Sequence, residues 1–112
     1  MPASLELGIA HFNAGEFYEC HETLEDVWIQ ESGPRRYFLQ AIIHFAVAFY
    51  HGERNNAVGA VRQLRKGLSK LDAYRPAYEG FDTERLYQVG ESALSLLLSG
   101  QPMPSPPQIE RI

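Results

Sequence analysis

The sequence predicts an all-α protein, a compact bundle of about five helices with short connections. Apolar residues recur at steps of three and four through most of the chain, which is the helical period. No segment alternates apolar and polar residues for long enough to predict a strand, and glycine, proline and asparagine divide the pattern into five parts. With 112 residues, 45% hydrophobic and 21% charged, the chain has the size and composition of one globular domain.

The first two helices are predicted on either side of a glycine. Ser4 can cap the first helix, which runs to Asn13, and Gly15 suits the left-handed conformation that often ends a helix. The second helix is predicted from Glu16 to Ser32. Its apolar residues form a stripe about 100° wide that indicates a core-facing surface: Phe17, Cys20, Leu24, Val27 and Trp28.

The third helix, predicted from Pro34 to Arg54, is apolar on nearly all sides. Such a helix is enclosed by neighbouring helices or by another subunit. Asn55 or Asn56 can cap the fourth helix, in which leucine and valine recur at helical steps as far as Leu71.

The last part of the chain combines a loop, a helix and a proline-rich segment. Residues 73–81 are predicted to form an ordered loop, and Asp82 or Thr83 can cap a fifth helix that ends near Gly100. We therefore expect residues 1–100 to form one helical domain. Residues 101–112 contain four prolines and are predicted to run extended over the surface or to be disordered.

Composition excludes several classes of function. The net charge of −4 gives no electrostatic reason to expect a nucleic-acid partner. The longest apolar stretch, residues 37–50, is shorter than the ~20 residues that span a bilayer, so no membrane partner is expected. The only cysteine, Cys20, and the absence of a secretory signal pattern predict a cytoplasmic protein. A run of basic residues indicates a solvated face, with a phosphate or RNA contact as the alternative: Arg62, Arg65, Lys66 and Lys70.

Residues 16–28 hold the candidate functional residues. His21 and Glu25 lie one helical turn apart at the edge of the apolar stripe, and Glu22 points more toward solvent. One interpretation is structural: Glu25 accepts a hydrogen bond from His21, from an arginine or from the Trp28 indole, and a buried pair holds the helices in register. The other is a metal site for zinc, manganese or iron, with His21 and Glu25 as ligands and Glu22 as general base.

The third helix offers further polar candidates. Gln40, His44 and His51 lie on one side of that helix, and either histidine could supply a third metal ligand. They could equally line a polar pocket, or pair across a helix–helix or subunit interface. If the phenylalanine face of the helix meets the second helix, His44 points elsewhere. The predicted binding groove consists of His21, Glu22, Glu25, Trp28, Gln40 and His44.

Several blocks of sequence together resemble the domain of unknown function 309 family. They are Phe12-Asn13-Ala14-Gly15-Glu16-Phe17, Cys20-His21-Glu22-Thr23-Leu24-Glu25 with Trp28, Phe38-Leu39-Gln40-Ala41-Ile42-Ile43, and His51, Asn55 and Gly59-Ala60. The resemblance covers about residues 9–71. It implies an all-helical bundle of the kind found in small bacterial and archaeal proteins, and it implies no activity. Cys20 and Ala41 stand where the family usually has alanine and glycine, which favours close packing for both positions and argues against a nucleophilic Cys20.

These observations favour a non-enzymatic binding or interaction module that associates with itself through apolar helix faces, as a homodimer. Its polar groove would lie around the His21-Glu22-x-x-Glu25 segment. A groove between the hairpin of the first two helices and the third helix could accept a peptide or helix. The alternative is a metal-binding or metal-dependent hydrolase-like protein that uses His21, Glu25 and a histidine of the third helix. Besides a second copy of the chain, a protein or a small molecule could be the partner, and the sequence identifies neither this partner nor a substrate.

Overall fold

The computed structural model describes residues 2–112 and confirms the all-α prediction. Within these residues the bounds of the five helices differ from the predicted ones by no more than two residues. The helices are α1 Leu5–Asn13, α2 Phe17–Gln30, α3 Arg35–Glu53, α4 Ala57–Leu71 and α5 Thr83–Leu98. A 3-10 turn, Asp72–Tyr74, follows α4.

Side-chain caps explain where three of the helices begin. The Ser4 hydroxyl accepts a hydrogen bond from the Leu7 backbone N–H at 3.1 Å. Asn56, rather than Asn55, caps α4, and Asp82, rather than Thr83, caps α5. Each cap satisfies a backbone donor that the first turn of a helix leaves unpaired.

The central helix is α3, which packs against both α2 and α4. Its buried side chains account for a large part of the core, as the apolar pattern predicted: Phe38, Leu39, Ala41, Ile42, Phe45, Ala46, Ala48 and Phe49. The outer helices pack on this layer, α1 against α2 and α5 against α4. Gly90 of α5 lies so close to the Phe45 ring that an added Cβ would stand 2.6 Å from it.

A short hairpin is the element that the sequence pattern did not predict. Strand β1, Ala77–Tyr78, pairs antiparallel with β2, Phe81–Asp82. The C-terminus extends this hairpin, since the Asp82 N–H donates to the Glu110 carbonyl at 2.8 Å and the Ile112 N–H donates to the Gly80 carbonyl at 2.9 Å. Strands of two residues are too short to show a period of two, so the pattern could not reveal them.

The C-terminal segment packs onto the bundle. The side chain of Ile109 is buried. Its backbone N–H and carbonyl both form hydrogen bonds with the side chain of Asn13 at the end of α1. Met103 fills the space beside Gly52 at the end of α3. Within residues 2–112, no helix combines the length and the apolar character that a membrane span requires.

Candidate functional site

A groove between α2 and α3 brings most of the candidate residues together, and we call it the α2–α3 groove. It contains two hollows, of about 180 Å³ and about 260 Å³. The first is lined by Phe17, Tyr18, His21, Val47, Tyr50 and His51, and the second by Glu25, Trp28, Gln40, Ile43 and His44. A larger depression of about 310 Å³ lies beside Pro2 and Gln30, but neither a histidine nor an aromatic residue lines it.

His21 and Glu25 contact each other on the surface of α2. The His21 Nε2 atom lies 2.8 Å from a Glu25 carboxylate oxygen, and the two side chains are 34% and 48% exposed. The partner of Glu25 is therefore the histidine of its own helix. The interpretation of this contact as a buried pair that holds two helices in register is wrong, because both groups are partly open to water and the contact lies within a single helix.

Two ionisable side chains line the second hollow, Glu25 from α2 and His44 from α3, and they do not contact each other. His44 directs its Nδ1 atom to the Gln63 side chain of α4, at 2.7 Å. Burial between the helices lowers the pKa of His44, against the opposing effect of that hydrogen bond, and the nearby Lys70 and Lys66 lower it further. His44 therefore lines the hollow as a neutral ring held from the α4 side, in agreement with the interpretation of α3 polar residues as a helix–helix pairing.

The four candidate metal ligands are spread over both hollows. His21 and His51 line the first and Glu25 and His44 line the second, and His51 pairs with the Asn56 side chain at 3.2 Å. In the part of the chain that the structure describes, residues 2–112, no group of three or more His, Cys, Asp or Glu side chains is arranged to hold a metal ion. Glu22, the candidate general base, is exposed on α2.

Two buried polar atoms beside the second hollow have no partner among residues 2–112. They are the Trp28 indole nitrogen, a donor, and the Gln40 side-chain oxygen, an acceptor. The Trp28 indole thus does not pair with Glu25; its ring lies instead under the Arg36 guanidinium, at 4.0 Å. Buried donors and acceptors are nearly always paired in folded proteins, so each of these two atoms has a hydrogen-bonding requirement that the described residues leave unmet.

The sequence analysis found Trp28 but missed four other apolar and aromatic residues of the groove. Ile43 and Val47 of α3 form its floor, and Tyr18 and Tyr50 stand at one end with ring centroids 6.1 Å apart. One signal was present: Tyr18, His21, Glu25 and Trp28 follow one another at steps of three, four and three, which places them on one side of a helix. The same spacing also fits a core-facing stripe, so it could not by itself identify a groove.

Cys20 takes no part in the groove. It is fully buried, and burial raises the pKa of its thiol to about 12. A thiol in this state carries no reactive thiolate near neutral pH. The structure agrees with the packing role that the sequence favoured for this position.

Comparison with known proteins agrees with the resemblance seen in the sequence. Residues 5–63 match the model of a family described as "Domain of unknown function (DUF309)". The chain is also 37% identical, over 81 residues, to "Uncharacterized protein YpuF" of Bacillus subtilis (strain 168). That match covers 69% of this chain and 46% of the relative, so the chain spans less than half the length of the curated relative.

Proposed function

We propose a non-enzymatic binding function for this chain, which belongs to the DUF309 family. The α2–α3 groove is the binding site, and its ligand is a segment of a folded protein surface. The observation that carries this proposal is the pair of hollows, each of which is lined by an aliphatic residue of α3, Val47 or Ile43, together with polar and aromatic side chains.

The spacing of the hollows favours a protein ligand. Their lining residues are offset by seven positions on both α2 and α3, which is about 10 Å, or two helical turns. Apolar side chains two turns apart on a partner's helix would reach both hollows. Tyrosine and tryptophan, which stand around this groove as Tyr18, Tyr50 and Trp28, are the residues most enriched at the centres of protein interfaces.

The polar groups of the groove suit recognition. His21 and Glu25 stand between the two hollows and are partly exposed, so they can exchange water for the polar groups of a partner at modest cost. Trp28 and Gln40 add a buried donor and a buried acceptor at the second hollow. The thiol of Cys20, the strongest intrinsic nucleophile in the chain, is buried elsewhere.

The test compares binding by three forms of the tagged full-length chain in native lysate. Tyr18→Asp puts a charge into the first hollow, while Leu98→Asp makes the same change at an exposed apolar residue at the end of α5. Quantitative mass spectrometry should find at least one protein, the untagged chain included, that wild type and Leu98→Asp retain and Tyr18→Asp loses. Thermal unfolding checks that all three are folded. Identical sets of retained proteins would refute the proposal.

A further inference from the structure

We propose that the α2–α3 groove and the surface beside it bind a second copy of the same chain. The two copies are related by a two-fold axis that runs parallel to α3. The inference rests on the proposed function and names the partner of the same site. The surface includes the α2–α3 groove and the exposed side of α4, and we call it the α2–α4 face. α4 belongs to it because the His44 ring, which lines the groove, is bonded to Gln63 of α4.

The first argument is the charge of the two outer helices of this face. Between its ends α2 carries four acidic residues, Glu19, Glu22, Glu25 and Asp26, and neither lysine nor arginine. α4 carries four basic residues, Arg62, Arg65, Lys66 and Lys70, and no acidic residue. None of these four basic side chains forms a salt bridge within residues 2–112, and on α2 the only such contact is the one to His21.

The second argument is the order of exposed residues along α2. Tyr18, Glu22, Glu25 and Ile29 follow at steps of four, three and four, so they form one stripe on the helix. Its two ends are apolar and exposed, with Tyr18 at 52% and Ile29 at 63%. The stripe thus places two carboxylates between two apolar side chains that are each more than half exposed.

A matching stripe lies on α4. Val58 is 70% exposed, and Arg62 and Lys66 follow it at steps of four. Val58 adjoins Gly59, which packs beside His51, and His51 lines the first hollow together with Tyr18. Two turns further along α4, Lys66 adjoins Gly67, which packs beside His44, and His44 lines the second hollow together with Glu25.

The heights of these residues along the helices determine which of them would meet in the dimer. α2 and α4 run in the same direction, because each is antiparallel to its chain neighbour α3 in the packed layer. A two-fold axis parallel to α3 lays α2 of each copy along α4 of the other at the same height. Tyr18 then meets Val58, Glu22 meets Arg62, and Glu25 meets Lys66, each of them twice.

The symmetry makes the face complementary to itself. With the axis parallel to α3, the acidic helix of each copy meets the basic helix of the other, and the contact closes into a dimer. Turning the axis perpendicular to α3 would stack acid on acid and base on base, which is unfavourable. Exposed ion pairs are screened by salt, so the dimer should weaken as the ionic strength rises.

The test is a charge swap followed by sedimentation velocity at about 1–100 µM protein and low salt. Both positions are exposed, so the variants should fold as the wild type does, which circular dichroism checks. Wild type should form dimers. Glu22→Arg alone and Arg62→Glu alone should each raise the dissociation constant by about tenfold or more, because each places like charges opposite one another twice. An equimolar mixture of the two variants should dimerise again, because every such contact then pairs opposite charges.

Three results would overturn the inference: a wild-type chain that stays monomeric, single variants that dimerise as well as wild type does, or open polymers in place of dimers. Different results would refute the proposed function. If the wild type is monomeric and Tyr18→Asp still loses a different retained protein, the binding function stands and only the identity of the partner is wrong. If all three lysate experiments are alike, the binding function itself is wrong.

Discussion

The attachment of the C-terminal segment to α1 through Asn13 gives the sharpest test of the fold. The Asn13 amide donates to the Ile109 carbonyl at 3.0 Å, and its side-chain oxygen accepts from the Ile109 N–H at 2.7 Å. Both hydrogen bonds are partly buried, and the Ile109 side chain is 4% exposed. Asn13→Ala removes both contacts together and leaves a buried backbone donor and acceptor without partners.

The size of the effect follows from these contacts. Two hydrogen bonds at about 0.5–1.5 kcal/mol each give a loss of about 1–3 kcal/mol. The better helix propensity of alanine at the end of α1 returns about 0.5 kcal/mol. We therefore expect Asn13→Ala to lower the free energy of unfolding by about 0.5–2.5 kcal/mol, a substantial part of the stability of a domain of this size.

Urea unfolding measures the loss, and hydrogen exchange locates it. The Ile109 amide should exchange faster in Asn13→Ala than in wild type. Amides at the centre of α3 should exchange faster only as far as the lower free energy of global unfolding requires. Gln108→Ala is the control, because its exposed side chain donates only to the Asn13 carbonyl, and it should cost less than about 0.5 kcal/mol. A loss below about 0.5 kcal/mol in Asn13→Ala, with unchanged exchange at Ile109, would refute the reasoning.

Three further predictions concern single side chains. His21→Ala should lower the free energy of unfolding by less than about 0.5 kcal/mol, since its pair with Glu25 is exposed; a loss of several kcal/mol in urea unfolding would contradict this. Gly90→Ala should cost about 1–3 kcal/mol, because its Cβ would stand 2.6 Å from the Phe45 ring, and a raised Tm would show that the ring can move away. The folded-state pKa of His44 lies below its usual value, so wild type should lose stability relative to His44→Gln as the pH falls through about 6.5; equal pH profiles of the two would exclude this.

The fold class and the helices could be predicted from the sequence because helical information is local. Each backbone hydrogen bond of a helix joins residues four apart, and each side-chain cap lies within three residues of its donor. Ser4, Asn56 and Asp82 were therefore recognisable as caps, although the choice between neighbouring candidates needed the observed hydrogen bonds. The hairpin of β1 and β2 gave no such signal, since each strand has only two residues.

The candidate site was also predictable from the sequence only in part. The spacing of His21 and Glu25 predicted that they share one side of a helix, and the structure places them in contact. Their exposure could not be predicted, because it depends on how far α2 is rotated about its axis. Phe17, Cys20 and Leu24 fill the core, which leaves His21 and Glu25 toward the groove. The direction of His44 likewise depends on Gln63, which lies on the next helix.

By itself the sequence determined five helices, their approximate bounds, the family and the residues that share each helix face. The tertiary structure alone decided that Glu25 pairs at the surface, that His44 turns toward α4, and that Ile109 is buried beside Asn13. The physical reason is the range of the interactions. Helix periodicity and capping act over three or four residues, whereas the Asn13–Ile109 contact joins residues 96 positions apart, which only the packed chain brings together.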